Sequence, residues 1–390
     1  MRLFPPELGI APDEGFAPDK DIFGRKEFGD QLTHIIRALE GPAVLVLDAP
    51  WGSGKSTFVK MWRGELTKLG FPSIYFDAFK SDYHEDAFLA LAGEIVARSE
   101  ELKPRSKKAL TTFKKSAITV AKVLGRASVR AGTRIVTAGV LSGTEIEAVA
   151  HEAVKAIGDE TAKGVDEILR ERLESHREDR AAFEQFGSAL GELVVALSAP
   201  TAAGKSTPPL IFIIDELDRC RPPFALELLE KAKHFFSVPG VIFMLVTNLE
   251  QLEAAVRLAY GVGVAARAYL EKFYHLRVMF PEGNLRRRNT AADTFLRYVF
   301  TKTLTQPSQR GFAQNVTQVI SEFERTHSLS LRTLERVASY ISLFVVSTAQ
   351  NQLRPEPLIA GLCLIKVVAP EIYDLARTSK LTFAKADEFF

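Results

Sequence analysis

The sequence predicts an α/β fold: a parallel sheet wrapped by helices, interrupted by a helical insertion and followed by a C-terminal helical lid. Three observations carry that expectation. Several apolar runs are continuous rather than alternating and end in acidic or polar residues. A glycine-rich loop lies between the first of these runs and a helical segment. Beyond Leu285 only helical periodicity remains. At 390 residues with 46% hydrophobic side chains, the chain can fill one large α/β domain and a smaller one.

A proline-rich lead-in reaches Asp21-Ile22-Phe23-Gly24-Arg25, which opens a helix with Phe28, Leu32, Ile35, Ile36 and Leu39 at helical spacing. Gly41-Pro42 ends it. Ala43 to Asp48 reads as a strand whose unbroken apolarity implies burial on both faces. A helix from Lys55 to Leu69, a strand Ser73 to Asp77 and a helix Asp86 to Ala97 follow. The rhythm then breaks. Lys103 to Arg134 holds ten basic residues and no acidic ones, whereas Glu145 to Glu184 is richer in acidic than basic side chains, so residues 100–180 read as a helical insertion with oppositely charged arms. The α/β pattern resumes with strand Leu210 to Asp215, helix Phe224 to Phe236, strand Val241 to Val246 and a fifth strand around Phe273 to Val278. The expected division is 1–99 for the lead-in and first half of the core, 100–180 for the insertion, 181–284 for the second half, and 285–390 for the lid.

Composition excludes several classes. Fifty basic against 48 acidic side chains leave a net charge of only +2, so any affinity for nucleic acid or membrane must be local. Cys220 and Cys363 have no metal-ligand spacing, which points to a reducing, cytoplasmic setting. The N-terminal residues lack the features of a signal peptide, and no apolar run is long enough for a transmembrane span. The local exception is the basic tract, where Lys122, Arg126, Arg130 and Arg134 recur every four residues beside Val123, Leu124, Ala127 and Ala131. Such a stripe suits nucleic acid or an anionic membrane surface, or equally a solvated face paired with the acidic arm.

The residues with the clearest chemistry lie between the first strand and its helix: Ala49-Pro50-Trp51-Gly52-Ser53-Gly54-Lys55-Ser56-Thr57. Glycines let successive N–H groups converge on phosphate oxygens, and the following helix adds the positive end of its dipole. Lys55 then reaches the β and γ phosphates, Ser56 takes a magnesium position, and Trp51 to Thr57 form the nucleotide contact. The expected core is thus a parallel-sheet P-loop NTPase core, with ATP and Mg2+ as ligands. Ala49 stands where glycine is usual, and its Cβ is costly if that position needs positive φ. A second similar string, Ala199 to Thr207, precedes a strand instead of a helix and reads as a surface loop. At the end of a central strand, Asp215 is placed to hold magnesium and Glu216 to polarise the attacking water. Asp218 and Arg219 read equally as loop-fixing ion-pair formers or as functional groups. Asn248 reads either as a contact to the γ-phosphate or the attacking water, or as a cap on the helix beginning at Leu249.

These residues resemble the KAP family of P-loop NTPases, a branch of the additional-strand ATPases. Trp51 to Phe58 resembles its phosphate loop, and Phe76-Asp77-Ala78-Phe79 its Phe-Asn-Ala-Trp element. Ile214 to Pro222 resembles its magnesium strand and following loop. Val238 to Val241, Tyr269 to Phe273 and Ser330 to Arg336 match further along. The resemblance implies that Arg332 reaches the nucleotide from the lid, with Arg336 as the weaker candidate. It also implies a homo-oligomer in which an arginine such as Arg221, Arg267 or one of Arg286 to Arg288 completes a neighbour's site. It suggests a prokaryotic or phage-related source and a role in anti-phage defence. No stretch reads as a nuclease, protease or other effector domain, so output is expected to pass to a separate effector protein, to DNA or to a membrane. Many relatives carry transmembrane helices where residues 100–180 lie; this chain departs from that version. Two further readings stand beside the ATP-driven switch: a DNA-binding motor or clamp using the basic insertion, and a non-hydrolysing ATP-binding scaffold. Localisation is expected to be cytoplasmic, with peripheral membrane contact through Lys103 to Arg134 as a variant.

Overall fold

The computed structural model describes residues 8–84, 86–130, 165–198, 207–233, 235, 237–281, 290–304, 309–349 and 352–387. Two compact units emerge. One gathers Met1–Gln31, Ala49–Glu65 and Phe280–Phe390; the other gathers Leu32–Asp48 and Leu66–Met279.

In chain order, helix α1 (Lys26–Ala38) precedes β1 (Ala43–Asp48), α2 (Lys55–Lys68), β2 (Ser73–Asp77) and α3 (Ala87–Glu101). Helices α4 (Lys107–Arg130) and α5 (Val165–Leu197) come next. They lead to β3 (Leu210–Asp215), α6 (Pro222–Ala232), β4 (Val241–Thr247), α7 (Leu249–Tyr260) and β5 (Leu276–Met279). The C-terminal part is helical: α8 (Ala291–Thr303), α9 (Arg310–Thr326), α10 (Leu331–Ser347), α11 (Glu356–Val368) and α12 (Pro370–Arg377).

The sheet of the second unit has five strands in the order β2-β3-β4-β1-β5. Every neighbouring pair is parallel. Strands β1, β3 and β4 are buried along their whole length, which is why their sequences run apolar without alternation. The register aligns Asp77 with Asp215, Asp215 with Val246, and Asp48 with Thr247, so polar residues collect at the carboxyl edge. The fifth strand begins later than the sequence reading placed it, at Leu276, because Glu271–Phe273 turns as a 3₁₀ helix that buries Phe273.

Helices α3, α5 and α6 build the core beside the sheet. The Phe186 ring lies 5.3 Å from Phe88, 5.0 Å from Phe113 and 4.7 Å from Phe235. Asp86 caps α3 through the Phe88 and Leu89 amides and also holds Lys231 of α6 at 3.1 Å. Helices α4 and α5 run antiparallel, since the Arg105 amide donates to the Ala196 carbonyl while Phe113 meets Phe186. Their described junction is therefore apolar, and Lys114 pairs with Glu100 of α3 at 2.5 Å. Lys103, Arg105, Lys107, Lys108 and Lys115 are exposed, leaving the nucleic-acid and membrane-surface readings both standing. The side chains of Arg126 and Arg130, all of Arg134, Arg286 to Arg288, and nearly all of the Ala199 to Thr207 string lie outside the described residues. Among the described residues, no helix is long and apolar enough to cross a membrane.

In the other unit, helices α8, α9, α10 and α11 pack around Leu296, Val316, Ile320, Val337, Ile341 and Leu364. The lead-in docks on the start of α2, where Phe58 gathers Phe16, Phe28 and Phe280 at 5.7, 5.2 and 5.2 Å. A methyl group added to Gly64 would sit 2.3 Å from the Gly15 amide nitrogen, so backbone meets backbone there.

Candidate functional site

The glycine loop follows Asp48 directly in the chain. Gly52 and Gly54 adopt φ of 77° and 86°, conformations open to glycine at little cost, and α2 starts at once with Lys55. Ala49 does not adopt positive φ, so the missing glycine carries no backbone strain. Lys55 is buried, and its Nζ donates to the carbonyls of Ala49 at 2.5 Å and Pro50 at 3.2 Å. Trp51 is exposed, whereas Ser56 and Thr57 are partly buried at the first turn of α2. Among the described residues the buried Ser53 hydroxyl has no hydrogen-bond partner, an orphan that a bound oxyanion would satisfy.

Two flanking elements hold this loop. Arg25 is buried, donating from Nη2 to the Ser53 carbonyl at 2.9 Å and from Nη1 to that of Gly54 at 3.5 Å. Its guanidinium lies 4.6 Å from the centre of the Phe23 ring and 4.2 Å from that of Phe280. Burial pulls Arg25 down to about 10, opposed by Asp21. On the other side, the Leu331 amide donates to the Gly52 carbonyl at 3.0 Å. A Cβ on Gly52 would lie 3.0 Å from the Ser330 hydroxyl and 3.2 Å from the Arg332 Cβ. Ser330 caps α10 by accepting from the Thr333 amide, which fixes this helix start. The start of α10 thus places the Arg332 Cβ beside the loop, with the side chain exposed; Arg336 lies a turn further along the helix. Burial raises Glu335, and Arg332 acts in the opposite sense.

The acidic residues belong to the second unit. Asp215 is fully buried; its Oδ2 accepts from the Tyr75 hydroxyl at 2.8 Å and its Oδ1 from the Glu216 amide at 2.8 Å. Burial, and then Asp215, raise Tyr75 strongly, so it remains a hydrogen-bond donor. Glu216 stands in the left-handed region at φ 60°, ψ 27°, which costs a non-glycine residue about 1–2 kcal/mol. Its carboxylate pairs with Arg219 at 2.7 Å. Burial raises Glu216, Arg219 opposes that, and Asp215, Asp77 and Asp218 add to the rise. Asp218 accepts from the Thr247 hydroxyl at 3.1 Å, so Asp218 and Arg219 both brace the loop. Asn248 caps α7, its Oδ1 accepting from the Glu250 amide at 3.1 Å, which leaves the amide nitrogen as the donor for any second role. Arg221 is engaged within the chain, donating from its backbone amide to Asp82 Oδ2 at 3.1 Å and from Nη2 to the carbonyls of His84, at 3.2 Å, and Asp82. Arg267 pairs with Glu271 at 3.4 Å.

Sequence reasoning missed Arg25, Tyr75 and Asp48. Asp48 accepts from the Leu249 amide at 2.9 Å and pairs with Arg277 at 2.5 Å. The available signal for Arg25 was an arginine set among Phe23 and Phe28 just before the first helix. For Tyr75 the expected measurement is direct: Tyr75→Phe strips a donor from a buried carboxylate and should lower unfolding stability by roughly 1.5 kcal/mol. A urea midpoint equal to wild type at the same slope would show that the bond is dispensable.

An all-parallel sheet in which β4 separates the strand entering a glycine loop from the strand ending in Asp215-Glu216 defines a P-loop NTPase of the additional-strand class, a nucleotide-binding fold. The family model described as "KAP family P-loop domain" matches residues 25–346, and the chain belongs to that family. Among solved structures, the Aeropyrum pernix ORC2 protein in its ADPNP-ADP complexes is similar at 14% identity and a TM-score of 0.39, over 95% of this chain and 71% of that one. That likeness is too loose to carry anything across. No curated protein matches the chain.

Proposed function

We propose that the chain binds ATP with Mg2+, hydrolyses it, and uses the bound and hydrolysed states as a conformational or assembly switch. The observation that carries this reading is the phosphate loop, with two left-handed glycines immediately before a helix that opens on Lys55. In this reading the loop amides and the α2 N-terminus face the phosphates, and Lys55 exchanges its loop carbonyls for the β and γ oxygens. Ser56 and Asp215 hold the metal. Mg2+, when bound, draws negative charge from the phosphates. Glu216 accepts the proton of the attacking water, Asn248 orients that water through its amide nitrogen, and Arg332 reaches the nucleotide from α10. The bond from the Leu331 amide to the Gly52 carbonyl gives the loop a direct mechanical link to the C-terminal helices, which supports a switch over a static scaffold. Its output passes to a separate effector, within a homo-oligomer, and serves anti-phage defence.

Phosphate release and ATP affinity, measured over a range of protein concentrations, test the reading. Lys55→Ala should weaken ATP binding by about 10- to 100-fold. Glu216→Gln should keep binding and slow hydrolysis by about 100-fold or more, the usual contribution of a general base. Unchanged turnover in Glu216→Gln would remove Glu216 as the base. Turnover independent of protein concentration would argue against assembly.

A further inference from the structure

We infer that Arg219 is a positioning residue for hydrolysis, its guanidinium fixing the Glu216 carboxylate in the orientation from which it takes a proton from water. The inference rests on the reading of Glu216 as the base.

The local backbone carries the first part of the case. Glu216 is one of three non-glycine residues with positive φ among those described, the others being Lys103 and Ser379. A side chain held in that region persists where its surroundings over-determine it, and such residues collect at working sites. Here the surroundings are specific. The Glu216 amide donates to Asp215 Oδ1 at 2.8 Å. The Glu216 carbonyl accepts from the Arg219 amide at 3.1 Å and from the Cys220 thiol at 3.6 Å. The Arg219 side chain then closes the ring by pairing with Glu216 Oε1 at 2.7 Å.

Charge carries the second part. The Arg219 guanidinium is the cation paired with the Glu216 carboxylate, whose side chain keeps 17% of its surface in solvent. Without that partner the carboxylate would be free to rotate about its own side-chain torsions. With it, Oε1 is held against the guanidinium, and Oε2 is the oxygen assigned to the water. In the step itself the water O–H bond breaks and its proton goes to Oε2. The water oxygen bonds to the γ-phosphorus as the bond to the leaving ADP oxygen breaks.

The experiment measures single-turnover hydrolysis and ATP affinity in the full chain for wild type, Arg219→Ala, Arg219→Lys, Glu216→Gln and the Ala/Gln double variant. Arg219→Ala should lower the hydrolysis rate by about 10- to 100-fold, the scale on which a base displaced by about 1 Å acts, while affinity stays within about twofold of wild type. Arg219→Lys should recover much of the rate. In the Glu216→Gln background, Arg219→Ala should have no further effect, because it works through the carboxylate. Should Arg219→Ala fail to fold, the shorter, neutral Arg219→Gln serves with the same expectation. A rate that is unchanged or raised by Arg219→Ala, or one that falls equally in both backgrounds, overturns the inference while leaving Glu216 as base. Wild-type turnover in Glu216→Gln, or no turnover in the wild type, overturns the underlying reading as well.

Discussion

Asp48→Ala should destabilise the protein by about 3 kcal/mol, the low end of what breaking a buried ion pair costs. The side chain ends β1 with 5% of its surface exposed and serves two other elements from there. Its Oδ1 accepts from the Leu249 amide at 2.9 Å, satisfying one of the N–H groups that the first turn of α7 leaves without a helical partner. Its Oδ2 takes Arg277 of β5 from Nε at 3.0 Å and Nη2 at 2.5 Å. Truncation removes all three bonds at once and takes the acceptor from three N–H donors. The low end applies because the Arg277 side chain keeps 35% of its surface in solvent, where its charge is hydrated. Asp48→Asn keeps an acceptor for Leu249 while losing the ion pair, and should cost about 1 kcal/mol. A urea midpoint for Asp48→Ala within about 0.5 kcal/mol of wild type at unchanged slope would show that the three-way junction is slack. Because Ala49 is the next residue, the alanine variant should also weaken ATP binding more than the asparagine variant does.

The parts of the fold that were legible in the sequence are those decided locally. Strands β1, β3 and β4 announce themselves because a strand buried on both faces has no polar positions to interrupt it. The phosphate loop is legible for the same reason: Gly52, Gly54 and the helix opening at Lys55 act within a few residues of one another. The Asx cap at Asn248 was one of two local readings, and the Glu250 amide is its partner. What stayed hidden is non-local. Asp48 and Arg277 are 229 residues apart, Tyr75 and Asp215 are 140, and Arg25 reaches Ser53 across 28. No periodicity encodes such pairs, since either partner alone reads as a polar residue at a strand end or helix start. The edge strand β5 was misplaced for a related reason. It is short and largely exposed, so it lacks the continuous apolar run that marks the central strands.

Gly64→Ala is expected to be damaging where helix propensity alone predicts a gain. Glycine inside a helix is worse than alanine by roughly 1 kcal/mol, so in an isolated α2 the substitution would stabilise. In the folded chain the new methyl group would lie 2.3 Å from the Gly15 nitrogen, 2.8 Å from its Cα and 3.2 Å from the Glu14 nitrogen. These are backbone atoms, and Gly15 is buried at φ 71°, so no side-chain rotation relieves the contact. Overpacking against backbone sits at or above the upper end of the usual 1–3 kcal/mol, leaving a net loss of about 2–3 kcal/mol. The lead-in would then lift from α2, exposing Phe16, whose ring lies 5.7 Å from Phe58, and loosening the approach to Arg25 on the phosphate loop. Faster proteolysis between Gly9 and Gly24, a lower melting point and weaker ATP binding should appear together. The decisive comparison is with a chain lacking residues 1–17, in which the Gly15 and Glu14 atoms that meet the methyl group are gone. There Gly64→Ala should change sign and stabilise by about 1 kcal/mol. A loss of the same size in both backgrounds would mean that the clash with Gly15 is not its cause, and that the lead-in does not pack on α2 through this contact.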